Sequence, residues 1–292
     1  MYGRQPVRSC PGSGAHKTDA DELWQHVKRV FFVDARAHAA RVFAAAADPE
    51  LAGTIEIEAR VGTINESGTG FSAGIPRDVF EPMLHWVRLQ NDWDLATRTT
   101  TADLTFQLAA DDDRVRVTVD LDTNEVVCVV RKDRLWRPTD FRAATGHKVD
   151  VRIGASVESP VSEHVRDALV FPTQRAMGVA SAPPATGSAN EPRLVMVRRK
   201  EREIFKTGPF SIDMTKVQSG ATLEEARRAP VTFEAEVDFS VAAHVLAGAS
   251  AVPDHFPHTF YDLLVNYLFD IRVEESDGSA PAPVPAPAPA PA

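Results

Sequence analysis

An α+β fold, in which antiparallel strands with one polar, charged face are covered by α-helices and, if they close into one sheet, form a β-barrel with a charged interior, follows from three features of the sequence. Several runs alternate charged and apolar residues with a period of two, which puts charge on one face of a strand and hydrocarbon on the other. One run, Arg198-Arg199-Lys200-Glu201-Arg202-Glu203, is charged on both faces and cannot lie on an ordinary oily core. Stripes of apolar residues at helical spacing flank these runs, and each stripe needs a surface to cover.

Residues 1–17 are rich in Gly, Ser and Pro and are read as a disordered tail, with one domain expected over 18–275. Thr18 followed by Asp21 predicts a helix start, and Leu23, Val27, Val30 and Phe31 recur at helical spacing into an alanine-rich stretch that ends near Asp48-Pro49. Thr54–Gly62 is the first strand, with Glu56, Glu58 and Arg60 on one face and Ile55, Ile57, Ala59 and Val61 on the other. Two carboxylates about 7 Å apart on one strand face repel each other unless water, a cation or basic partners stand between them. A turn region from Asn65 to Gly74 leads to a helix opened by Pro76, striped by Phe80, Met83, Leu84 and Val87 and ending at about Asp92.

The next strands are Thr101–Ala109, Arg114–Asp120, Val126–Lys132 and Asp150–Glu158, with Asp122-Thr123-Asn124 as a hairpin turn. Arg114, Arg116 and Thr118 oppose Val115, Val117 and Val119, while Arg152, Ser156 and Glu158 oppose Val151, Ile153, Ala155 and Val157. A short helix from Ser162 to Leu169 precedes a Pro, Ala and Ser loop at 178–192, read as mobile. Two strands, Leu194–Phe205 and Phe210–Val217, come before a small helix around Leu223–Arg228 and a strand Val231–Ser240. In that last strand Glu234, Glu236 and Asp238 share a face against Phe233, Ala235, Val237 and Phe239. Pro257 opens the final helix, with Phe260, Leu263, Leu264, Tyr267 and Leu268 on one side. Residues 276–292 run into alternating Pro and Ala and are read as an extended spacer outside the fold. The strands fit a meander of antiparallel neighbours, and no repeat of fixed period is present.

A chain of 292 residues, 43% apolar and 25% charged, has the composition of an ordinary globular protein. Its net charge of −9 excludes a protein that coats nucleic acid along its length, yet leaves room for a site that takes one anionic end. Cys10 and Cys128 stand in unrelated contexts, so free thiols in a reducing compartment are expected. With no apolar run of signal-peptide or membrane-span length, the expectation is a soluble intracellular protein without a membrane partner.

If the strands close into one sheet, their charged faces converge on an interior of acids and basic residues, and the apolar faces turn outward under the three long helices. This inverts the ordinary soluble barrel, whose interior is packed with hydrocarbon. Confined carboxylates are tolerated when a hard divalent cation bridges them, and oxygen ligands favour Mg²⁺ or Mn²⁺. Basic residues in the same lumen suit phosphate oxygens.

The strand Glu56-Ile57-Glu58, the strand Arg198-Arg199-Lys200-Glu201-Arg202 with Asp213-Met214-Thr215-Lys216-Val217 after it, and Glu234-Ala235-Glu236-Val237-Asp238 together resemble the fungal and protozoan RNA 5'-triphosphatases. These are mRNA-capping enzymes of the triphosphate tunnel metalloenzyme family, and the resemblance runs in the family's order from Thr54 to Ser240, including Asp150-Val151-Arg152 and Glu158. It implies an eight-stranded antiparallel tunnel that uses Mg²⁺ or Mn²⁺ to remove the γ-phosphate from the 5'-triphosphate end of nascent RNA, leaving a 5'-diphosphate. Glu56 and Glu58 match the family's metal-binding pair. Asp238 matches the third ligand, where the family usually carries glutamate, and Glu236 is the alternative. Glu234 and Glu236 match acids that organise metal-bound water or orient basic neighbours, and Glu158 the glutamate that positions or deprotonates the attacking water. Arg116, Lys132, Arg152, Arg198, Lys200 and Arg202 match the basic set, with Arg116 and Lys200 on the γ-phosphate. Arg60, on the face of the metal pair, joins the substrate-binding set. Asp213 and Thr215 match a supporting pair on the neighbouring strand, and Ser211 stands where some relatives carry a basic residue.

Two further readings stand beside this one. Another tunnel hydrolase would act on inorganic tripolyphosphate or on nucleoside or thiamine triphosphate, while a non-enzymatic ligand-binding barrel requires an apolar interior that these strands contradict. The histidines lack ligand spacing, and Trp24, Trp86, Trp93 and Trp136 are read as packing anchors. The resemblance further implies a nuclear location and the mRNA guanylyltransferase as a partner, and relatives include homodimers.

Overall fold

Alternation of charge and hydrocarbon along the strands decides how they associate. The computed structural model describes residues 8–10, 17–35, 37, 53–108, 113–143, 149–178, 191–242, 253 and 255–269. Its strands are β1 (Arg8–Cys10), β2 (Thr54–Ile64), β3 (Phe71–Ser72), β4 (Leu95–Gln107), β5 (Arg114–Asp120), β6 (Val126–Arg134), β7 (Thr139–Ala143), β8 (Asp150–Pro160), β9 (Arg193–Thr207), β10 (Phe210–Gly220) and β11 (Thr232–Ala242). The helices are α1 (Lys17–Arg29), continued by π-helical turns over Val30–Ala35, then α2 (Arg77–Leu89), α3 (Glu163–Ala176), α4 (Leu223–Arg228) and α5 (His255–Leu263), continued by π-helical turns over Leu264–Phe269.

Eight strands close into the expected antiparallel barrel. The order β2-β8-β6-β5-β4-β9-β10-β11 returns to β2, because β8 pairs with β6 on one side and with β2 on the other. Two meanders, β4-β5-β6 and β9-β10-β11, are joined where β4 pairs with β9. Outside the ring, β7 lies antiparallel on β8, β1 lies parallel on β7, and β3 covers the end of β2.

The hydrocarbon is on the outside of this barrel, under the helices. Ile55, Ile57, Ala59 and Val61 are 0% exposed and pack with outward residues of β8, β10 and β11 against Leu23, Phe31, Phe80, Met83 and Phe260. A second cluster joins Leu104, Phe106, Val115, Val117 and Val197 to Leu169 of α3 and to Leu223 and Ala226 of α4. Burying each such aliphatic or aromatic side chain stabilises by about 1.5–3 kcal/mol. Among the described residues the cover is thus shared by five helices rather than the three long ones the sequence suggested.

Several boundaries differ from the sequence expectations. Arg8–Cys10, within the span read as a disordered tail, satisfies its backbone by pairing with β7, a contact that leaves no mark in side-chain pattern. β4 starts at Leu95 rather than Thr101, since Leu95–Thr100 pairs with β9 beyond the helical cover and so shows no apolar alternation. β3 and β7 are too short for alternation to reveal them. α3 runs through Pro172 to Ala176 instead of stopping at Leu169; burial of Leu169, Pro172 and Thr173 offsets the missing hydrogen bond. Gly178, at φ +75°, ends it in the left-handed conformation that glycine adopts freely. Trp24, Trp93 and Trp136 pack against the core, but Trp86 is 47% exposed and, among the described residues, is not part of that packing. Residues 38–50 of the expected first helix, 179–190 of the expected loop and 276–292 lie outside the described residues.

Candidate active site

The inward side chains of β2, β8 and β11 form an acidic wall. Antiparallel register sets Glu58 opposite Asp238, Arg60 opposite Glu236 and Glu56 opposite Ser156. Carboxylate oxygens of Glu56, Glu58 and Asp238 consequently lie within 4.8 Å of one another, a spacing that can hold a metal ion. Ser156 donates its hydroxyl to Glu56 at 3.1 Å. Asp238 keeps a buried Oδ1 with no hydrogen-bond partner. Burial, followed by the charges of Glu236, Asp213, Glu56 and Glu58, pushes its carboxyl well above the ordinary aspartate range. A bare, reluctant carboxylate beside two more is the arrangement a hard divalent cation neutralises, so these residues fit such an ion. Of the two acids open as third ligand, Asp238 stands in the cluster, whereas Glu236 lies 3.3 Å from the Arg60 guanidinium.

Basic side chains meet the wall from β5 and β6. Lys132 forms its shortest ion pair with Glu56 and reaches Glu58 at 3.4 Å and Glu158 at 3.7 Å. Burial works against its charge, but Glu58, Glu56 and Glu158 outweigh it and hold the ammonium protonated beyond the usual lysine range. Arg116 of β5 donates to Glu158 of β8 at 2.7 Å, reaching that carboxylate across the intervening β6. Arg60 reaches Glu58 at 3.0 Å; Glu236, working against burial, and then Glu58 raise its pKa.

The opposite wall, β4, β9 and β10, is built of closed pairs. Lys200 lies 2.5 Å from Asp103, each side chain only 8% exposed. Thr118 donates to the same carboxylate at 2.8 Å. Burial alone would raise Asp103, yet Lys200, Arg116 and Thr118 bring it down to about 2. Burial lowers the pKa of Lys200, against the pull of Asp103. Arg198 donates to both oxygens of Glu234 at 2.7 Å, and Arg202 lies 3.0 Å from Asp213. Thr215, buried, stands opposite both Arg202 and Glu234. Arg152 makes a bidentate pair with Asp140 at 2.6 and 2.8 Å and stacks 4.6 Å over the Phe71 ring.

All the site residues expected from the sequence therefore belong to inward-facing registers of the barrel or its rim, and most meet a partner of opposite charge. Sequence reasoning missed Asp103 and Asp140. Asp103 alternates with Thr101 and Thr105, a polar face that the period-two rule exposes once Asp103 is counted with it. Asp140 sits on β7, where no pattern could mark it. Cys128 is a free thiol whose pKa is raised by burial.

A cavity of about 590 Å³ opens at one end of the barrel, bordered by Glu58, Arg60, Asp103, Arg116, Lys132 and Arg198 among others. A hollow of about 410 Å³ outside the barrel, between α3 and β6, is lined mainly by Val117, Val127, Leu169 and Val170 and lacks converging acids and bases. A confined space with fixed positive charge, a carboxylate held against Arg116, and a three-acid metal-type cluster has the parts needed to bind a polyphosphate and deliver water to it.

Two solved structures with TM-scores above 0.5 share this fold. The structure of the S. pombe Pct1 RNA triphosphatase is similar at 17% identity, covering 83% of this chain and 89% of that chain, with a TM-score of 0.52. The same S. pombe protein in complex with the Spt5 CTD gives 16% identity, 83% and 90% coverage and the same TM-score of 0.52. The RNA triphosphatase domain of a trifunctional mimivirus mRNA capping enzyme gives 13% identity, 77% and 89% coverage and a TM-score of 0.38. No curated protein sequence matches the chain. A family model described as the beta chain of the mRNA capping enzyme matches residues 92–273, more than half of the chain. That span omits β2, yet the fold seats Glu56 and Glu58 of β2 against Asp238 within it. The chain belongs to the mRNA capping enzyme beta-chain family.

Proposed function

We propose that this chain is the RNA 5'-triphosphatase of mRNA capping: it hydrolyses the γ-phosphate of the 5'-triphosphate end of nascent RNA and leaves a 5'-diphosphate. The observation that carries the reading is the convergence of Glu56, Glu58 and Asp238 with Lys132, Arg116 and Glu158 inside a closed barrel of a capping-enzyme family. Phosphoryl transfer to water requires a nucleophile in line with the leaving oxygen and neutralisation of charge on the γ-phosphoryl oxygens. Arg116 and Lys132 supply fixed positive charge next to Glu158, which accepts the water's proton. Glu234 and Glu236 hold Arg198 and Arg60 in place for the remaining phosphate oxygens, and Arg152 and Arg202 complete the basic lining. Lys200, with its position set by Asp103, adds a buried positive charge from β9. A Mg²⁺ or Mn²⁺ ion on Glu56, Glu58 and Asp238 would supply a Lewis acid for phosphoryl oxygens and offset the three acids.

On this reading residues 18–275 are the working domain, the enzyme acts in the nucleus, and its 5'-diphosphate product passes to the guanylyltransferase. The test is phosphate release from γ-labelled triphosphate-ended RNA with Mg²⁺ or Mn²⁺, alongside ATP and inorganic tripolyphosphate. The expected result is metal-dependent release that leaves a 5'-diphosphate RNA. Hydrolysis of tripolyphosphate alone would reassign the tunnel to a different substrate.

A further inference from the structure

We infer that the RNA chain leaves the tunnel through one particular mouth, where Arg114 and Arg134 bind its first internucleotide phosphates. The inference rests on the triphosphatase reading and adds a direction and a binding site to it.

The cavity at this mouth is strongly basic, with seven Arg or Lys side chains against two carboxylates in its lining. Most of that charge is already committed. Arg60 pairs with Glu58 and Glu236, Arg152 with Asp140, and Arg198 with Glu234. Among the described residues, Arg114 and Arg134 have no carboxylate partner, and both are exposed at the rim. Nearby acids are engaged, since Asp140 holds Arg152 and Asp150 accepts the backbone N–H of Ile64.

Position along the strands gives the direction. Arg134 lies two residues from Lys132 on the same face of β6, and Arg114 two residues from Arg116 on β5, a step of about 7 Å toward the mouth in each case. Lys132 and Arg116 are the residues that grip Glu158. Lys132 stands directly opposite Glu158 in the register of β6 and β8, so the free guanidiniums lie one two-residue step nearer the mouth than Lys132, Arg116 and Glu158. A triphosphate with its γ-phosphate beside Glu158 has its α-phosphate short of the rim and the internucleotide phosphates that follow over Arg114 and Arg134. The two strands are neighbours in the barrel, so the rim arginines stand as a diagonal pair across β5 and β6. Met196, 39% exposed and lining the same mouth, adds hydrocarbon that a nucleobase can cover and inorganic tripolyphosphate cannot. Lys206 shares the inward face of β9 but sits ten residues beyond Met196, past the far end of the lumen, and is exposed.

The test compares the full chain with an Arg114→Ala/Arg134→Ala variant and with Lys206→Ala, measuring KM in Mn²⁺ for a triphosphate-ended RNA oligonucleotide, ATP and inorganic tripolyphosphate. Losing two charged phosphate contacts should raise KM for RNA about tenfold or more. The salt dependence of RNA affinity should also flatten by about 1.4 in log–log slope, from about 0.7 per single-strand phosphate. KM for tripolyphosphate should stay within about twofold, and Lys206→Ala should leave RNA unaffected. An unchanged KM for RNA in the double variant, an equal loss on all three substrates, or a selective loss of RNA affinity in Lys206→Ala would each overturn the inference while leaving the triphosphatase reading standing. Failure of the parent chain to release phosphate from RNA would instead remove that reading, and the inference with it.

Discussion

The two walls of the lumen handle buried charge in opposite ways. On β4 and β9, Lys200 and Asp103 face each other at 2.5 Å and Thr118 caps the carboxylate, so the charges are spent on one another. On β2 and β11, Glu56, Glu58 and Asp238 crowd within 4.8 Å, and Asp238 keeps a buried oxygen without a partner. The first arrangement carries its own counter-charge. The second shares Lys132 and Arg60 among its acids and leaves an Asp238 oxygen open, an arrangement that can hold a cation at a cost to the protein's own stability.

That contrast can be broken first at the closed pair. Asp103→Ala leaves the Lys200 ammonium buried and alone, and should destabilise the fold by about 3–5 kcal/mol, read as a fall in denaturation midpoint. Replacing both partners, Asp103→Leu with Lys200→Met, should recover most of that loss, since an apolar pair of similar volume avoids the stranded charge. At the open wall the effect should fall on rate rather than on stability. Glu58→Ala should slow phosphate release about 10²-fold or more in single-turnover assays while the circular dichroism spectrum is unchanged.

Acid titration sharpens the comparison, because the two aspartates carry opposite signs. Asp103 has a folded pKa of about 2, below the ordinary aspartate value of 3.8, so its stabilisation is present above about pH 4 and is lost as pH falls toward 2. Asp238 holds its proton more tightly when folded, so its favourable contribution is full at acid pH and disappears as pH rises through the raised value. In chelator, Asp238→Asn should therefore melt above the parent at neutral pH, by roughly 2–4 °C, with the gap closing in acid. Smallest of all should be Glu224→Ala, which removes an ion pair between side chains 71% and 77% exposed on α4 and should change stability by less than about 0.5 kcal/mol.

Legibility in the sequence followed the same division. The period-two faces of Thr54–Gly62 and Phe233–Phe239 expose both the outer core and the inner acids, because one strand face is hydrocarbon and the other is charged. Closure of the barrel is a long-range pairing of β8 with β2, about a hundred residues apart, and no local pattern encodes it; there the family likeness supplied what alternation could not. Which acid completes the cluster, Asp238 or Glu236, depends on the register that faces Glu236 with Arg60 and Asp238 with Glu58. The partners of the basic residues were the least visible, since Asp103 is a single acid among threonines and Asp140 lies on a strand of five residues.

The central claim, that acids from distant segments form one divalent-cation site within the barrel, is tested most directly by Mn²⁺ titration followed by electron paramagnetic resonance. The parent chain should bind Mn²⁺ stoichiometrically, and Glu58→Gln and Asp238→Asn should each lose that binding while remaining folded. Stoichiometric Mn²⁺ binding that survives the loss of both carboxylates would contradict the account.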